Sequence, residues 1–176
     1  MESFAATWRA FEANEVTHSA AHYLLAIAAF ARKGQEPRAA DIARELGISR
    51  AAASLQLRSL QEHGLVEVDP RQRLHLTRAG ADVVARVASK REVVRVFLEE
   101  ILGVKPQAAV LDACKVEHLL SEETGAALIR LIRFLRSEHP AAQEALRVFR
   151  ETTASCPPEA RCDFCSNICL LAATGS

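Results

Sequence analysis

Two short stretches hold the residues with the most chemistry in this 176-residue chain. In DACKVEH, Cys114, Glu117 and His118 stand at i, i+3 and i+4. On a helix that spacing sets a soft sulfur, a carboxylate oxygen and an imidazole on one face, within reach of one transition-metal ion. A fourth donor must come from elsewhere, and His22, with His18 one turn before it, lies near the start of HSAAHYLLAIAAFARKG. In CPPEARCDFCSNIC, Cys156, Cys162, Cys165 and Cys169 follow the spacing C-x5-C-x2-C-x3-C and make up four of the five cysteines. Four thiolates so close together suffice for a tetrahedral Zn2+ site or a four-cysteine iron-sulfur cluster. Zinc ribbons pair two C-x2-C knuckles across a longer loop; the single, closely flanked knuckle here is nearer to ferredoxin-like spacing. An iron-sulfur cluster of the 4Fe-4S type is therefore favoured over structural zinc, and free or redox-active thiols come third.

Composition restricts the setting. With 49% hydrophobic and 25% charged residues, the chain reads as an ordinary globular protein. Apolar runs such as YLLAIAAF are too short to span a bilayer, and MESFAATWRAFEANE has no basic, cleavable leader pattern. A cytoplasmic protein without a membrane partner is the expectation. In reducing cytosol clustered cysteines serve metals or redox chemistry rather than stable disulfides. No nucleophile-base pair, phosphate loop or acid pair is present, so an enzyme is not expected.

Few glycines and prolines, and helical periodicity nearly throughout, predict a mainly α fold. Phe4, Trp8 and Phe11 suggest a short amphipathic helix, and Thr17 or Ser19 a cap for the next, which stops at Gly34. Ala40, Ile42, Ala43 and Leu46 form the buried stripe of one short helix. After Gly47 and the N-cap Ser49, Ala53, Leu57 and Leu60 form that of another. Two short helices joined by a glycine-containing turn are a helix-turn-helix. After Gly64, LVEV and RLHLT alternate around Asp69-Pro70-Arg71-Gln72, which predicts a two-stranded wing. The outward face of the second helix presents Ser49, Arg50, Ala51, Ser54 and Arg58, and the wing tip presents Arg71 and Arg73. Arg50 and Ser54 are candidates for base edges; Arg58 and the wing arginines are candidates for phosphate or minor groove. Residues 32–78 carry nine Lys/Arg against six Asp/Glu, a local net of +3 in a chain of zero net charge.

Further helices are predicted over 82–100, in QAAVLDACKVEHLL after Pro106, after the cap Ser121, and over 141–151. Three regions result: an N-terminal helix with a winged helix-turn-helix (1–80), a helical dimerisation and metal-binding domain (81–139) and a cysteine-rich tail (140–176). Helices appended to a winged helix suit a homodimer, because paired half-sites on a double-stranded DNA operator need two reading heads.

From about Thr17 to Leu135, through HSAAHYLLAI, the winged helix, REVVRVFLEEILGV and DACKVEHLLS, the chain resembles the iron- and manganese-dependent repressors of the diphtheria toxin repressor (DtxR/MntR) family. The resemblance implies a primary Fe2+ or Mn2+ site at His22, Cys114, Glu117 and His118, and a repressor whose operator binding the ion favours. It also shows departures. Arg91, Arg95 and Val110 stand where the family's second site has ligands, and cationic or apolar side chains cannot replace those, so at most one such site is expected. The expected function is a metal-responsive, iron-sensing homodimeric DNA-binding regulator, with the tail cluster as sensor or co-sensor. The rivals are a regulator resembling the MarR family with a Zn(Cys)4 clasp, and an iron-sulfur accessory protein of an iron transporter.

Overall fold

The structure is a computed structural model that describes residues 17–152. The helix expected around Phe4, Trp8 and Phe11 and the cysteines Cys156, Cys162, Cys165 and Cys169 lie outside the described residues.

The architecture is mainly helical, with one small hairpin. Helix α1 (His18–Arg32) starts where the Thr17 hydroxyl accepts the Ala20 N–H at 3.2 Å, and its alanines let neighbouring elements pack close around it. Tyr23, Leu24 and Ile27 fill the centre of the head from this helix. Helices α2 (Ala39–Leu46) and α3 (Arg50–Glu62) form the helix-turn-helix. Gly47 makes the turn between them at φ 65°, a left-handed conformation that glycine adopts without a Cβ clash. The Ser49 hydroxyl then caps α3 through the Ala52 N–H.

Strands β1 (Val66–Val68) and β2 (Leu74–Leu76) pair antiparallel, with Val66 opposite Leu76 and Val68 opposite Leu74. Val66 and Leu74 point into the head core beside Leu57 and Leu60. Helix α4 (Arg78–Val96) leaves the hairpin at close quarters: a Cβ on Gly80 would stand 2.0 Å from the Leu65 carbonyl oxygen. Its first turns close the head core with Val83, Val84 and Val87.

Beyond the head, two expected helices change. The α-helical pattern expected to reach Glu100 ends at Val96, and Phe97–Ile101 forms a π-helical turn in which the Leu102 N–H reaches back to the Phe97 carbonyl. This wider turn carries Ile101 into a small second core with Val96 and Ile132. Helix α5 (Pro106–Val116) is also shorter than expected, since the chain turns at residues 117–120 and the Leu119 N–H bonds the Val116 carbonyl. Helices α6 (Glu122–Leu135) and α7 (Pro140–Glu151) complete the described chain, with α7 packed on α6.

Candidate metal centre and nucleic-acid interface

Helix α4 is the strut of the centre, because it packs against both α1 and α5 and so brings the start of α1 to the end of α5. His18 and His22, four residues apart, share one face of α1. His22 Nε2 lies 3.1 Å from His18 Nε2 and 3.5 Å from Cys114 Sγ in the last turn of α5. One ligand atom from each of His18, His22 and Cys114 falls within 4.8 Å of the others. His118 meets the far side of the His18 ring, Nδ1 to Nδ1 at 3.3 Å, with the two ring centroids 4.7 Å apart.

Glu117 sits beside this cluster, paired with a cation. It is fully buried, and its carboxylate takes a two-pronged ion pair from Arg91 of α4, with Nη2 donating to Oε1 at 2.8 Å and Nε to Oε2. The same guanidinium lies 3.9 Å from Cys114 Sγ. Glu117 keeps helical backbone angles as the residue that ends α5, its N–H bonding the Ala113 carbonyl, and it meets the same guanidinium as Cys114 three residues before it; the chain turns only from here on, through His118. A carboxylate so buried needs a cationic partner, and Arg91 supplies it.

Burial first, and the neighbouring His18 second, lower the pKa of both His22 and His118. These imidazoles are thus held toward the neutral form, which has a lone pair to donate. Sequence reasoning placed His22, Cys114 and His118 in this region and noted His18 as a neighbour. What it missed is the Arg91–Glu117 pair, for which the available signal was a carboxylate in a helical segment otherwise rich in apolar residues.

In the helix-turn-helix, the N-cap Ser49 and Arg50, Ala51, Ser54 and Arg58 of α3 are all exposed, with Leu55 73% exposed among them. Ser54, Arg58 and Gln61 line a groove that Gln72 of the wing and Arg38 close from the other side. At the wing turn, the Asp69 carboxylate accepts the backbone N–H groups of Arg73 and Arg71 at 2.7 and 2.8 Å. Those bonds, that to Arg73 first, hold its pKa below the usual carboxylate range. Arg71 is exposed, whereas Arg73 donates to the Glu36 carbonyl at 2.8 Å and ties the wing to the loop before α2.

Comparison with known proteins agrees with this division. Residues 77–146 match the family described as iron dependent repressor, metal binding and dimerisation domain, and residues 19–70 match the IclR helix-turn-helix domain. An HTH-type transcriptional regulator of Methanocaldococcus jannaschii is 29% identical over 109 residues, covering 61% of this chain and 87% of that protein. The transcriptional regulator MntR of Escherichia coli is 34% identical over 102 residues, covering 58% of this chain and 65% of its own length. The structure of the manganese regulator SloR shares the fold with a TM-score of 0.60 at 22% identity, over 65% of this chain and 53% of SloR. The chain thus spans most of the archaeal regulator, but about two thirds of MntR and half of SloR. No described helix is long and apolar enough to cross a membrane.

Proposed function

Because the chain belongs to the DtxR/MntR/IdeR family of metal-dependent repressors, whose members are transcriptional regulators and not enzymes, we infer that it is a homodimeric, metal-responsive DNA-binding repressor. The observation that carries this reading is the meeting of His18, His22 and Cys114 at the junction of α1 with α5. The donor set fits a divalent transition metal: two imidazoles and one sulfur, all within reach of a single ion. Fe2+ is the ion proposed to be sensed. When bound, it would supply a cross-link between α1 and α5.

The chain's own elements turn that link into regulation. Helix α1 forms the centre of the head and packs against α2, α3 and the hairpin, so its position sets that of the reading helix. Helix α5 belongs to the half that matches the dimerisation domain. Tying one to the other narrows the relative positions of the two heads in a dimer and shifts the population toward the spacing that an operator accepts. Arg50 and Ser54 of α3 serve as base-reading residues, with Arg58 and the wing as phosphate contacts.

The test is binding to the chain's own upstream DNA at fixed salt, in anaerobic protein with Fe2+ and after chelation. Metal-dependent affinity that Arg50→Ala weakens by about 1–3 kcal/mol, with metal content unchanged, supports the reading. Equal affinity with and without metal overturns it.

For the tail we propose an iron-sulfur cluster at Cys156, Cys162, Cys165 and Cys169, acting as co-sensor. The support is the compact spacing of the four cysteines, which places one C-x2-C knuckle between two close flanking thiols. Visible absorbance with iron and sulfide counts on anaerobic protein is the check. Full zinc without sulfide would instead make the tail a Zn(Cys)4 clasp.

A further inference from the structure

We propose that the segment before Thr17 docks through Phe4, Trp8 and Phe11 into the apolar groove between α4 and α6 of the same chain, and so straps the start of α1 to the helical half. The inference stands apart from the metal-responsive reading and needs no bound ion.

The groove comes first. Helices α4 and α6 pack against each other, and they leave an open cleft of about 320 Å³ between Ala85, Ser89 and Val93 on one side and Gly125, Ala126 and Ile129 on the other. Leu131, Phe134, Val148 and Phe149 do not line it, so it is distinct from the exposed apolar side chains further along α6 and on α7. Gly125 sharpens the point. Glycine inside a helix is destabilising relative to alanine, and a close neighbour that needs the room is the usual compensation. A Cβ on Gly125 would meet nothing within 4 Å among the described residues. The room is there for a neighbour outside them.

The segment before Thr17 has the length, the side chains and the starting point to be that neighbour. It is sixteen residues long, and Phe4, Trp8 and Phe11 stand at i, i+4 and i+7, which would be one apolar face of a helix. A helix so short is marginal in water unless that face is covered, and each aromatic side chain has about 150–250 Å² to bury. Thr17 has extended backbone, with φ −68° and ψ 159°, so the axis of α1 is not continued through it. The next residue, His18, meets the His118 ring at 3.3 Å, and His118 stands four residues before Glu122, where the groove begins on α6. Along α6 the groove runs from Glu122 to Ile129, about 10 Å, whereas sixteen helical residues span about 24 Å.

Charge favours the same match. The segment carries Glu2, Glu12 and Glu15 against Arg9 alone, while the rim of the groove has Arg86 and Lys90 against Glu122, which Lys90 bonds at 2.9 Å. An acidic segment thus meets a rim with a cationic excess.

Trp8 is the only tryptophan in the chain, so its fluorescence reports the docking directly. In full-length protein its emission should lie to the blue of that of a peptide of residues 1–16, with weaker quenching by acrylamide, and both should persist on dilution from dimer to monomer. Gly125→Leu fills the groove from α6 without a clash among the described residues and raises helix propensity. It should return emission and quenching to the values of the peptide. Val148→Ser, away from the groove, should change neither.

Emission equal to that of the peptide in the unsubstituted protein overturns the inference before any variant is made. So does a blue-shifted emission that Gly125→Leu leaves in place or Val148→Ser removes, because the segment then lies elsewhere. Protection lost on dilution overturns it as well, since the groove occupied is then that of a second copy. If circular dichroism shows Gly125→Leu to be unfolded, Ala126→Leu, at an exposed position on the same wall, decides in its place.

Discussion

The head and the helical half differ in how far each completes its own interior. In the head, Leu24, Ile27, Ile42, Ala53 and Leu57 are almost fully buried in one continuous core that draws on α1, α2, α3, the hairpin and the first turns of α4. In the helical half, the second core has only Val96, Ile101 and Ile132 as buried members, while Leu111, Leu131, Phe134, Val148 and Phe149 stay between 42% and 61% exposed. Large apolar side chains exposed among the described residues of α5, α6 and α7 suit the interior that the proposed dimer would share. The segment containing α5 and α6 is also the one that matches a dimerisation domain. In the proposed dimer the helical half would set where the two heads stand, and the His18, His22 and Cys114 cluster lies where the head meets that half.

The seam should be the most sensitive place in the molecule. Arg91→Ala leaves the Glu117 carboxylate buried without its cation, and removing one member of a buried pair costs about 3–5 kcal/mol. Urea denaturation of metal-free protein measures this. A loss below about 1 kcal/mol would mean that α4 and α5 are not clamped by this pair.

Next in size is a contrast between the two interiors. Leu24→Ala removes a fully buried side chain of the head and should cost about 2–5 kcal/mol at any protein concentration. Phe134→Ser alters a side chain 45% exposed on α6, so its main effect should fall on association. Sedimentation equilibrium should show the dimer weakened by about tenfold or more, about 1.4 kcal/mol. If Phe134→Ser leaves dimerisation unchanged, the exposed apolar face of α6 is not the shared surface.

The same contrast explains what could be read from the chain. The head was legible because each element is announced locally: Thr17 and Ser49 cap their helices, Gly47 marks the turn, and Leu57, Leu60, Val66 and Leu74 follow the two periods that face one core. In the centre, His22 and Cys114 were legible as residue types at helical positions near the family's pattern. The pairing of Glu117 was not, since its partner Arg91 lies 26 residues away on another helix and no local period announces it. The π-helical turn at Phe97–Ile101 was hidden for a similar reason, because it is tied to the burial of Ile101 against Val96 and Ile132 rather than to a local signal.

The smallest expected effect separates two residues that the sequence treats alike. Arg71 and Arg73 both lie at the wing, yet Arg71 is exposed and Arg73 is half-buried with its guanidinium on the Glu36 carbonyl. If Arg71 neutralises one phosphate, Arg71→Ala should weaken binding to all sequences alike and reduce the slope of log affinity against log salt by about 0.9. Arg73→Ala instead cuts the tie between the wing and the loop before α2. It should leave that slope nearly unchanged while increasing backbone mobility at residues 69–73, seen as faster amide exchange. The Asp69 carboxylate limits the damage, because its bonds to the backbone N–H groups of Arg71 and Arg73 do not depend on either side chain. The same bonds lower its pKa, so the support they give is present above the ordinary Asp value and is lost only as pH falls through the lowered one. Across neutral pH the turn keeps its shape, and salt titrations of the two variants at pH 7 can be compared directly. Equal slopes for Arg71→Ala and Arg73→Ala would show that the Glu36 contact does not hold Arg73 back from DNA.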